Sequence, residues 1–182
     1  MDSDWWLPDL NPELSQGDIV KDLPVWIASP SLVFLGDKRT VSGGQTGWRE
    51  LSEPQSDDQG FAHLLVRARP YISIVLTHDC QLDKKKRPTR VQLAATSDIA
   101  SLSGGERMVV MNQRSLSQLV LPDVPQFGTR YADMHIIFTV DKRLIAEPMR
   151  VASMTEDAKI RLQNQLIAYF ADRQRPDSAS HS

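Results

Sequence analysis

The order of elements along the chain predicts a mainly β (α+β) fold, a small β-barrel or strongly coiled sheet closed by one C-terminal amphipathic helix. Two stretches carry that expectation. Between Arg67 and Asp98 lie two short, β-branched apolar runs, Tyr71–Leu76 and Val91–Ala95. Polar or proline-containing residues bound each run, so they read as two buried strands joined by a long basic loop. Near the end, Ser153-Met154-Thr155-Glu156 has the form of a capping box. Ala158, Leu162, Leu166 and Tyr169 then recur at helical spacing, joined by Ile167 and Phe170. That is an amphipathic helix of about four turns with its apolar face on the sheet.

The remaining elements follow in order. Residues 1–16 carry Trp5, Trp6, Leu7 and Leu10 among prolines and acids, an irregular arm that packs its indoles on the domain or offers them to a partner. Gly17-Asp18 punctuates the chain before a first strand, Ile19-Val20, which continues or restarts at Val25–Ala28. Pro24 inside it points to a sheet edge or a bulge. Residues 36–60 have turn and acidic loop chemistry, with a short strand at Trp48–Leu51, and Phe61–Val66 leads back to the central pair. Ser101–Arg107 reads as a turn and Met108–Met111 as a third core strand. Arg114–Leu121 is a short helix or extended segment, and Pro122 and Pro125 bracket a turn. Met134–Val140 is strongly β-like, with Arg143–Ala146 expected to pair back on it across Asp141-Lys142. The tail 173–182 reads as disordered.

A chain of 182 residues with 41% hydrophobic content is long enough for a core and predicts one domain with decorations. The net charge of -2 gives no global reason to expect nucleic acid. Its distribution is uneven. From Arg67 to Arg90 there are seven Lys or Arg against two Asp, so a basic loop stands out from an acidic remainder. That loop is either a solvated turn or a patch for an anionic partner. One cysteine allows no intrachain disulfide and fits a cytoplasmic setting. The N-terminus lacks a signal-peptide pattern, and no run is long enough to cross a membrane.

Chemistry gathers at the ends of the two central strands. His78 and Cys80 fall on the same side of an extended chain and Asp79 on the other. A thiol beside an imidazole makes Cys80 a candidate reactive thiol, with a buried, inert cysteine as the plainer reading. A metal would need further ligands from His63 or His135, and neither CxxC nor HExxH occurs, so no metal or other cofactor is expected. Arg69 is held extended by Pro70 at a strand entrance. If the two strands pair antiparallel, Arg69 comes near Thr96. A guanidinium and hydroxyls on one rim suit a phosphate, and an Arg69–Asp98 rim pair is the structural alternative.

These residues resemble the MazF/PemK/Kid toxin family. Gly17-Asp18-Ile19-Val20 is similar to its opening strand, and Arg69-Pro70 with YISIVLTHD to its RP-plus-apolar strand. Arg87 to Val91, through Thr96-Ser97, resembles the next strand. Met108 to Leu116 resembles a later strand with its Q-x-R-[ST]-[IL] segment, one residue short. About half of the chain is covered, in the family's order. The resemblance implies an SH3-like barrel over 17–172, usually a homodimer, that cuts single-stranded RNA without a metal and is blocked by an antitoxin. In this endoribonuclease reading Arg69 stabilises the scissile phosphate and Thr96 hydrogen-bonds to it. His78 is the nearest candidate for general base. Lys84, Lys85, Lys86, Arg87 and Arg90 contact RNA phosphates. The chain departs from the family in insertions at about 29–66 and 126–150, the second read as a strand pair. Met111 and Asn112 also stand near places where some members carry a catalytic Arg and Asp. The alternative is a catalytically inactive binding module of a multi-gene system such as phage defence.

Overall fold

The computed structural model describes residues 5–26, 33–41, 45–51, 63–65, 68–82 and 90–173. Lys84, Lys85, Lys86, Arg87 and the tail after Arg173 lie outside them. Among the described residues the strands are β1 (Ile19–Trp26), β2 (Val33–Val41), β3 (Gln45–Leu51), β4 (His63–Leu65), β5 (Ala68–Val75), β6 (Arg90–Asp98), β7 (Gln118–Val124), β8 (Gly128–Asp141) and β9 (Arg150–Ala152). The helices are α1 (Asp79–Leu82), α2 (Gly104–Met111) and α3 (Glu156–Arg173), with three short 3-10 turns. The chain forms two compact units, Met1–Leu23 with Pro70–Ser182, and Pro24–Arg69. The second holds a three-stranded sheet in the order β3-β2-β4. Residues 36–41, expected as turn, therefore belong to a strand, and the expected Trp48–Leu51 strand lies inside β3.

The main sheet runs β7-β8-β6-β5-β1-β9, six antiparallel strands that curl into a half-barrel, with α3 as the C-terminal helix. The two central runs pair as expected, Ile72 opposite Thr96 and Val75 opposite Leu93. Alternation explains why these runs are apolar apart from Ser73 and Gln92. Ile19, Ile74 and Ala94 join one core cluster with Ala158, Leu162 and Tyr169 of α3. Their chain neighbours Val20, Val75 and Leu93 join a second with Leu14 and Leu82. Successive side chains point to opposite faces, so a strand buried on both sides needs no polar face. Between β6 and β8 the register jumps from Ala94↔Ile137 to Ala95↔Asp133. Extra residues on one strand bend it and increase local twist, which contributes to the curl.

Several expectations are corrected. Met108–Met111 is helical, because Ser103 and Glu106 close a reciprocal capping box that starts α2. The local cap outweighs the β-like look of Met-Val-Val-Met. Arg143–Ala146 does not pair back on β8. Asp141 instead caps a 3-10 turn at Lys142–Leu144, and the 126–150 stretch holds one long strand rather than a pair of strands. At α3 it is the Thr155 hydroxyl that accepts the Ala158 amide, while Ser153 is fully buried and its hydroxyl accepts the Asn11 amide. Ala158, Leu162 and Tyr169 are buried as expected, but Ile167 and Phe170 face solvent. The aromatic arm packs inward: Trp5 is buried in the main core, and the Trp6 indole N–H donates to the Pro122 carbonyl at 2.8 Å.

Candidate functional site

Thr96 lies on β6 and is 2% exposed. Its hydroxyl donates to the Ile72 carbonyl at 2.9 Å and accepts Nε of Arg130, also at 2.9 Å. A second Arg130 nitrogen donates to the Thr96 carbonyl at 3.0 Å. Arg130 arrives here because β8 pairs Arg130 with Asp98, two residues along from Thr96. Burial pulls its guanidinium below the ordinary value, opposed by Asp98 and Tyr131. Arg130, not foreseen in the sequence, is thus the cation that the structure brings onto Thr96. Arg69 stands on β5 three residues before Ile72 and is exposed, as is Arg90 opposite Asp141 at the other end of β6.

The His78-Asp79-Cys80 segment follows the end of β5. Gln81 and Leu82 amides turn back onto the His78 carbonyl, so the segment enters α1 instead of continuing as a strand. His78 and Cys80 nevertheless meet: His78 Nδ1 is 3.2 Å from Cys80 Sγ and accepts the Cys80 backbone N–H at 3.2 Å. Both are exposed. Asp79 turns the other way. Its carboxylate accepts the Gln16 amide at 2.6 Å, the Ser15 hydroxyl at 3.0 Å and Lys159 Nζ at 3.2 Å. Lys159 is nearly buried and also reaches Glu156 at 2.9 Å. Burial tends to raise Asp79, but the Gln16 amide, Lys159 and Ser15 outweigh it and hold the carboxyl below its ordinary range. For Lys159, burial works downward, while Glu156 and Asp79 raise it overall.

The turn beneath this segment is fixed from a second side. Gly17 has φ +85°, and a Cβ there would meet Met154 Sδ at 2.7 Å, so only glycine fits. Asp18 is fully buried, with Arg150 at 2.8 Å and the Ser15 amide at 3.1 Å, all on Oδ2.

A different surface lies at the outer end of the sheet. α2 buries only Val110, against Val120 and Tyr131. Met108 is 64% exposed, Val109 46% and Met111 50%, with Leu116 close behind in sequence and also exposed. Arg107 and Arg114 flank this apolar group. Just beyond the helix, Gln113 helps to line a cleft of about 260 Å3 with Trp5, Leu119, Arg161, Asn164 and Gln165. Arg161 lies over the Trp5 ring at 5.5 Å. Gln165 ties the cleft to the chain after α2 by donating to the Ser115 carbonyl at 2.9 Å.

Among the described residues no three His, Cys, Asp or Glu side chains gather in a metal-holding group. The His135 ring packs edge-on against Tyr169 at 5.9 Å. No helix among these residues is long and apolar enough to cross a membrane. No protein-family model and no curated protein sequence matches the chain.

Proposed function

We propose that this protein is a binding module that docks a partner protein, with α2 and the adjoining cleft as its contact surface. The observation that carries the reading is the exposure of Met108, Val109 and Met111 on a helix that buries a single side chain. Methionine-rich faces adapt to apolar partners, and such clusters mark interaction sites. Arg107, Arg114 and Arg161 around it favour a partner whose apolar segment carries acidic residues. The buried Thr96 hydroxyl counts against the endoribonuclease reading, because it is already engaged by Ile72 and Arg130 and is removed from solvent.

Two measurements test this reading. Purified protein incubated with labelled single-stranded RNA in EDTA should leave the RNA intact. Fragments with 5'-hydroxyl and cyclic phosphate ends would restore the nuclease reading. In parallel, Met108→Lys with Met111→Lys should keep the circular-dichroism spectrum and lose the complex that the parent forms in its native host. A complex that survives both substitutions moves the docking surface elsewhere.

A further inference from the structure

The polar segment after β5 holds an exposed nucleophile beside a base, and neither takes part in the docking surface. We propose that Cys80 and His78 form a thiol–disulfide exchange site for low-molecular-weight disulfides. Three features of the structure support this. The first is contact: His78 Nδ1 lies 3.2 Å from Cys80 Sγ, within reach for the thiol to donate to the ring. The second is orientation. Nδ1 accepts the Cys80 backbone N–H, so in the neutral ring it is the unprotonated nitrogen, and its one lone pair is shared between that amide and the thiol. The third is access combined with support. Cys80 and His78 are both exposed, while Asp79 between them is fastened to Ser15, Gln16 and the nearly buried Lys159. The reacting pair is therefore open to small molecules on a backbone that is held in place.

The reaction balances within the named groups. The Cys80 proton passes to His78 Nδ1, and the Cys80 amide exchanges that acceptor for water. The thiolate attacks one sulfur of the incoming disulfide, a new S–S bond forms as the old one breaks, and the released thiolate takes the proton from His78. Cys80 is oxidised to a mixed disulfide and one half of the incoming disulfide is reduced to a thiol. As the chain has a single cysteine, the adduct has no internal resolving thiol and persists until an external thiol removes it.

Oxidised glutathione is the probe, and intact-mass spectrometry of the native full chain is the readout. One glutathionyl adduct should form about ten-fold faster than on the same protein unfolded in urea, because only a few per cent of an ordinary thiol is thiolate near pH 7 and a neighbouring base raises that fraction. Cys80→Ser should take no label. His78→Gln should label at about the unfolded rate, and its deficit against the parent should widen as the pH falls from 8 to 6. A merely structural role for His78 would not produce that widening. Equal labelling of parent and His78→Gln across that range, with His78→Gln folded by circular dichroism, overturns the proposal. So does a native rate no greater than the unfolded one.

Discussion

Asp18 and Asp79 both hold the turn at Ser15–Asp18, and their surroundings push them in opposite directions. Asp18 is fully buried and crowds its donors onto one oxygen, while Oδ1 makes no hydrogen bond of normal geometry. Burial therefore raises its carboxyl above the ordinary 3.8, and the nearby Ser153 hydroxyl, the Ser15 amide and Arg150 only partly oppose it. Asp79 has a side chain 43% exposed and spreads its donors over both oxygens, so it falls below 3.8. A cation at hydrogen-bond distance is common to both. What differs is how completely each carboxylate is solvated by donors and water.

The largest break in this comparison is at Arg150. Arg150→Met leaves the Asp18 carboxylate buried with no cation and also frees the Asn11 and Glu13 carbonyls. A loss of about 3–5 kcal/mol in denaturant unfolding is expected. Adding Asp18→Asn should recover part of that loss, and no recovery would mean that Arg150 acts mainly through the two carbonyls.

Asp79→Ala should cost less, about 1–2 kcal/mol, because its side chain is partly solvated and Lys159 keeps Glu156. A loss as large as that of Arg150→Met would erase the distinction between the two sites.

The pH dependence sharpens the comparison further. The folded value of Asp18 lies above its unfolded value, so between the two the folded state binds more protons and stability falls as pH rises. Asp79 is the reverse: its contribution is present above about 3.8 and is lost as pH falls through the lower folded value. Asp18→Asn should flatten the decline on the mildly acidic side, and Asp79→Asn should flatten the loss at low pH. Stability curves of the two variants against pH check both signs.

The smallest effect is expected at a surface pair in which Arg143 is exposed and the Asp141 side chain is 28% exposed. Asp141 is held down to about 2, chiefly by hydrogen bonds from Arg143. With the guanidinium in water, Arg143→Ala should leave the thermal midpoint where it is. A clear drop would show that the 3-10 turn capped by Asp141 depends on that guanidinium.

The parts legible in the sequence are those whose signal is local. The β5–β6 pairing and α3 announce themselves by apolar runs and by a repeat of three to four residues. α2 was also locally encoded, by Ser103 and Glu106, but Gly104-Gly105 between them reads as a turn and Met-Val-Val-Met as a strand. Arg130 on Thr96 and Arg150 on Asp18 join residues 34 and 132 apart. Strand register decides such pairs, and no short window of sequence contains it. An extended chain would also put His78 and Cys80 on one side, but their contact arises where the chain enters α1.

The aromatic arm has a consequence for handling the protein. Sheet order leaves β9 at one margin, with β1 on its inner side. The segment that continues β9 is bridged from Met154 to Trp6, with the Leu7 amide on the Ser153 carbonyl and the Thr155 amide on the Trp5 carbonyl. Alternation of backbone direction puts these bonds on the side away from β1. Residues 5–7 thus shield an open sheet edge, the kind of surface that recruits strands from other molecules. A shortened version lacking them would offer unpaired amides and carbonyls together with the uncovered apolar surface beneath Trp5, and would tend to aggregate even where its core still forms.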